Sequence, residues 1–247
     1  MPESTTPRSR NVLISLVILF LVIGMGIYWY SAIRTTTSSG DSAADKKIEF
    51  VLKDKIENWQ LKGLYTGNKD LEKKAHADIE RLNGLFGGEE FTDYILYVSI
   101  AGQYEFLGDG AKEYEYLLRA IEEDSTKTGL AWYNLGTLLV RLGAFNDARV
   151  AFSNAATVQP DVDQYSTRHL EFLTQQFPND KEAIEKAFTA ASAVLGESPT
   201  LLEIRARWLE ATGRIGEAIA HWQRIMEMSP GSGTSVETEI KRLRGKL

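Results

Sequence analysis

The chain has 247 residues, 43% hydrophobic and 25% charged, a composition ordinary for one or two globular domains and incompatible with wholesale disorder or a fibrous repeat. Its 28 Lys+Arg against 34 Asp+Glu give a net charge of −6, which excludes a generally basic nucleic-acid binder. The absence of cysteine excludes disulfides, thiolate metal sites and a cysteine nucleophile.

Residues 1–10 form a short head carrying Arg8 and Arg10. Asn11 to Ile33 then runs 23 residues without a formal charge, bounded by Arg10 and Arg34. As a helix this stretch covers roughly 34 Å, enough to span a hydrocarbon core of about 30 Å, and Tyr28-Trp29-Tyr30 suits a membrane–water boundary. The segment reads as a single transmembrane helix. A cleavable signal peptide fits less well, because its apolar stretch is shorter and the nearest small-residue site, Ser42-Ala43-Ala44, lies far beyond the aromatic residues. The Lys/Arg bias favours a cytoplasmic head and an extracytoplasmic bulk at a cell (inner) membrane, with a cytoplasm-facing domain as the alternative. Residues 34–45, rich in Thr, Ser and Ala, read as a flexible tether.

From Lys46 onward the pattern reads as helical, without strand alternation over any long run. Residues 46–90 are expected to form a degenerate helical hairpin broken near Gly67-Asn68. Pro160, Pro178, Pro199 and Pro230 fall between apolar-periodic segments and act as helix punctuation.

One stretch sets the fold expectation. Trp132, Leu135, Gly136, Ala148, Phe152, Ala155 and Pro160 match the spacing Trp-x2-Leu-Gly, then Ala-x3-Phe, then Pro, with Leu139 at the usual Tyr. This resembles a tetratricopeptide repeat (TPR), in which two antiparallel helices meet closely. A weaker copy carries Leu202, Ala206, Leu209, Gly213, Ala218, Trp222 and Pro230, with Arg205 where Leu135 stood. A third, upstream, carries Tyr97, Ala101, Tyr104, Gly108, Leu117 and Ala120, with Glu113 and Ser125 replacing the usual Ala and Pro. The 70 residues between Pro160 and Pro230 leave room for one more hairpin, from Gln164 to Phe177 and then from a cap at Asn179 or Asp180 through a face of Ile184, Ala187, Phe188, Ala191, Val194 and Leu195. The repeats thus fill 91–234, and 235–247 reads as a capping helix, with Val236, Ile240 and Leu243 inward, followed by a basic tail. The expected fold is all-α, a transmembrane helix followed by a TPR-like α-solenoid.

The three histidines are far apart, with no partner at metal-ligand spacing, and no phosphate loop, nucleophile elbow or zinc-protease motif occurs. His169 sits on an apolar stripe and reads as a core or groove histidine. No enzyme activity, cofactor or metal is expected. What the TPR resemblance implies instead is a concave groove lined by the first helices, binding a protein or peptide. By position its candidates are Val98, Gly102 and Glu105; Tyr133, Thr137 and Arg141; and Glu203, Arg207 and Glu210. Tyr133 and Thr137 replace the Lys and Asn of family members that clamp a C-terminal carboxylate, so such a clamp is not expected. The chain is similar to small, N-terminally anchored bacterial TPR proteins over about two-thirds of its length. That implies a membrane-anchored scaffold in envelope assembly or secretion, or alternatively a self-associating structural module; a homo-oligomer is compatible with both.

Overall fold

A computed structural model describes residues 47–229, 231 and 233–247. The predicted head, transmembrane helix and tether (1–45) lie outside these residues, as do Lys46 and Pro230. Among the described residues no helix is long and apolar enough to cross a membrane.

The described residues form ten α-helices and no strand, in keeping with the all-α expectation. They are α1 (Lys69–Asn83), α2 (Asp93–Leu107), α3 (Gly110–Glu123), α4 (Leu130–Arg141), α5 (Phe145–Val158), α6 (Asp163–Gln176), α7 (Lys181–Leu195), α8 (Pro199–Ala211), α9 (Ile215–Met228) and α10 (Gly233–Arg244). Helices α2/α3, α4/α5, α6/α7 and α8/α9 are four successive hairpins; α1 packs on α2 and α10 on α9.

Local sequence sets the ends. Asn68, Thr92, Asp109, Asp180 and Ser198 each accept a hydrogen bond from the backbone two or three residues into the helix they open, the satisfaction that a free N-terminus requires. Three hairpins then share one corner. Gly108, Gly143 and Gly213 all lie at φ 77–80°, where a Cβ is unfavourable. The next N–H reaches back to Tyr104, Leu139 and Leu209, respectively, which satisfies an end carbonyl of the first helix. The third hairpin turns differently, through Phe177, Pro178 and Asn179, which is why its repeat signature is poor.

The residues that carry the repeat resemblance converge. Trp132, Leu135, Ala148, Phe152 and Ala155 are fully buried in one cluster spanning α2 to α6. A Cβ on Gly136 would come within 2.7 Å of the Phe152 ring, so this glycine makes room for an aromatic side chain. Ala218 and Trp222 repeat the arrangement in a second cluster, from α6 to α10, into which Val236, Ile240 and Leu243 of the capping helix are buried. Arg205 does pack differently from Leu135: it pairs with Glu185 of α7 and stacks over Phe188. On α7, Ile184, Phe188 and Ala191 are buried as expected, but Val194 is half-exposed and lies off the apolar face.

The expected first hairpin is the main correction. Only its second half, α1, is helical. Residues 47–63 form an extended strap across the first two repeats, and a turn over 64–67 leads into α1. Ile48, Phe50, Leu52, Asp54 and Ile56 face inward, while Lys47, Glu49, Val51, Lys53 and Lys55 are exposed. That period of two is the signature of an extended chain. Farther on, the Leu61 N–H donates to Gly108 O, the Gly110 N–H to Trp59 O and the Tyr65 N–H to Phe106 O, clamping the strap and the turn to the α2–α3 corner. Backbone meets backbone here, since a Cβ on Gly63 would lie 2.2 Å from Phe106 O and 2.4 Å from Gly108 N. Gly63→Ala should therefore destabilise the domain by about 1–3 kcal/mol in chemical denaturation, the range for forced overpacking; an unchanged midpoint would show that the clamp yields freely.

Candidate functional site

The groove candidates lie on α2, α4 and α8, the first helices of three hairpins, as the repeat offset requires. Their environments differ. Val98 is half-buried against the first core cluster. Gly102 borders open space, for a Cβ there would meet nothing within 4 Å. The Tyr133 ring leans on Tyr165 and Phe152, with centroids 5.4 and 6.0 Å away, and its hydroxyl accepts a 3.0 Å hydrogen bond from Gln164 Nε2. The Thr137 hydroxyl donates to Tyr133 O within the helix. Glu203 and Arg207 pair along α8 at 2.8 Å, and the Arg207 guanidinium lies over the Trp222 ring.

Three candidates are tied up in structural pairs. Arg141 Nη1 lies 3.3 Å from both Glu105 and Glu113, joining α2, α3 and α4. Burial, helped by the nearby Glu105 charge and opposed by Arg141, pushes the Glu113 carboxyl up to about 8. Glu210 is taken by the end of the chain: Arg242 and Lys246 reach it at 2.6 and 2.7 Å, and the Arg242 hydrogen bonds above all hold it down at about 2. The basic tail is thus partly neutralised by a specific acceptor, and Glu210 belongs to the capping contact and not to an open groove.

Two contributors were missed by position. Helix α6 supplies Gln164 to Tyr133, and Arg168, whose guanidinium sits 5.2 Å from the Phe152 ring centroid. At the other end, strap residues Lys62 and Gly63 and the turn residue Leu64 join Glu105, Phe106 and Arg141 around a shallow depression of about 520 Å³. His169 is half-buried, and desolvation together with the Arg149 charge holds it down at about 4, so it is neutral at physiological pH. Among the described residues no three His, Asp or Glu side chains converge as metal ligands would.

The stacked hairpins, the shared glycine corners and a first-helix face of mixed chemistry define a fold class: a TPR-like α-solenoid of helical hairpins. Solved structures agree. The chain is similar to MamA (13% identity, TM-score 0.51, covering 66% of this chain and 94% of that one). It is likewise similar to a tetratricopeptide repeat protein from Parabacteroides merdae ATCC 43184 (14%, 0.55, 74% and 73%). A third likeness is to YrrB, described as a TPR protein with an unusual peptide-binding site (13%, 0.50, 72% and 87%). No family model and no curated protein matches the chain. At these identities the likeness establishes the fold.

Proposed function

We propose that the protein is a membrane-anchored scaffold that binds a protein or peptide partner along the first-helix face of its TPR array. The observation that carries this reading is the first-helix face itself, with open space at Gly102, the half-buried Tyr133 and, farther along the array, the exposed Glu203–Arg207 pair. Apolar rings, a hydroxyl and charges of both signs suit a partner of mixed polarity, and repeat arrays present such extended concave surfaces. Residues 11–33 supply the anchor in this proposal, with the repeat domain extracytoplasmic and engaged in envelope assembly or secretion. Confinement to the bilayer then raises the effective concentration of partners held in the same membrane.

The test is site-specific photo-crosslinking from Gly102 and Tyr133 in native membranes. Adducts with other proteins, lost on Tyr133→Ala when crosslinking from Gly102, are expected. Adducts between copies of this chain alone would replace the docking reading with self-association. A substitution at Arg141 would not serve as a binding control, because Arg141 also pairs with the buried Glu113. Release of the protein from membranes by alkaline carbonate, without detergent, would overturn the anchor.

A further inference from the structure

The strap contacts its own domain in the manner of a bound peptide. Its main-chain N–H groups are read by side chains of the array. The Ile48 N–H donates to Ser125 Oγ at 2.9 Å, and the N–H groups of Lys53 and Asp54 both donate to Asp147 Oδ2, at 2.9 and 2.6 Å. With the strap in place Ser125 and Asp147 are only 4% and 2% exposed, so these hydrogen bonds are shielded from water. Between them the Phe50 ring meets Trp132 edge-on, with centroids 6.0 Å apart, and Leu52 and Ile56 press on the same core cluster.

The return contact is equally directional. Helix α5 opens at Ala144, which brings no side-chain acceptor to its free N–H groups. Asp54 provides one from more than ninety positions away, its carboxylate accepting from the N–H of Asn146 at 2.8 Å, the N–H of Asp147 at 3.3 Å and Asn146 Nδ2 at 2.9 Å. The Asn146 side-chain hydrogen bond in particular holds Asp54 below its ordinary range. Main-chain recognition is indifferent to sequence, and pockets for alternate side chains set the register; together these are the requirements of extended-peptide binding.

We infer that the seam formed by Ser125, Trp132 and Asp147 is a second peptide-binding site, separate from the first-helix face and filled in cis by residues 48–56. Its ligand is an extended chain with apolar residues at alternate positions and a carboxylate at the fourth inward one. In the resting chain the strap competes for the site, so the apparent affinity for a free peptide is reduced by the fraction of molecules with the strap detached.

The probe is a labelled peptide of residues 47–57, added to the full-length protein. Weakening the strap with Phe50→Ser and Asp54→Asn should raise peptide affinity at least tenfold over the unaltered chain. A peptide of the same composition, with each inward residue exchanged for its outward neighbour, should bind at least tenfold more weakly. A variant that retains its helical circular dichroism yet fails to bind, or binds both peptides alike, overturns the site. Should the variant lose its fold, the unaltered chain still decides: excess peptide should accelerate hydrogen exchange at the Ile48, Lys53 and Asp54 amides several-fold, and unchanged exchange overturns the inference.

Discussion

Replacing Trp132 by alanine should cost the repeat domain about 3–5 kcal/mol, the range for truncating a fully buried aromatic side chain. The indole is 0% exposed, within the cluster that gathers residues from α2 to α6 and the strap. Two losses combine. Its ring fills space against Phe50 and the surrounding aliphatic side chains, and its Nε1–H donates a 3.1 Å hydrogen bond to Ser125 O. Without the indole that carbonyl is left buried, at a cost of about 1–3 kcal/mol within the total. Trp132→Phe separates the terms, since it keeps most of the ring and loses the donor; a cost of about 1–2 kcal/mol is expected. Denaturation of the full-length chain measures both. A loss below about 1 kcal/mol for alanine would mean that the first core cluster is not organised around this residue.

The same residue shows why the fold was legible. Seven residues at repeat spacing, from Trp132 to Pro160, declare α4 and α5, and Gly108, Gly143 and Gly213 mark equivalent corners because each must accept a positive φ. The third hairpin has neither signal; the length of the gap, a cap at Asn179 or Asp180 and the apolar period from Ile184 onward revealed it, and Asp180 is the residue that caps. The strap was misread for a definite reason. Its alternation is interrupted at Asp54, an inward position occupied by a carboxylate, and the pattern makes sense only once the uncapped start of α5 is known. Groove positions on α2, α4 and α8 followed from the repeat offset. Their availability did not, because Arg141 and Glu210 are claimed by residues distant along the chain: Glu113 on α3 for the one, and Arg242 with Lys246 near the C-terminus for the other.

Glu113 is the departure from the repeat that makes stability depend on pH. It occupies the place that Ala148 and Ala218 hold in later repeats, and it is just as buried, at 3% exposed. Its partner is shared, for Arg141 Nη1 serves Glu105 and Glu113 equally at 3.3 Å, longer than the about 2.7–2.9 Å of a strong charge-assisted hydrogen bond. The attraction therefore falls short of the cost of burying the carboxylate, and its pKa rises to about 8 from an ordinary 4.5. Between those values the folded protein retains a proton that the unfolded chain releases. Stability from this group is whole below the unfolded value and is lost as pH rises through about 8. Glu113→Gln, neutral throughout, should lack that slope: relative to the unaltered chain it should gain of the order of a few kcal/mol between pH 5 and pH 9. Thermal or chemical midpoints of the two proteins across this range give the difference directly, with all other carboxylates cancelling. Parallel curves would mean that Glu113 is ionised at neutral pH and that Arg141 compensates it fully. Arg141→Gln should act in the opposite sense, steepening the loss above neutrality, because it removes the cation and leaves Glu105 facing Glu113 across the junction of the first two repeats.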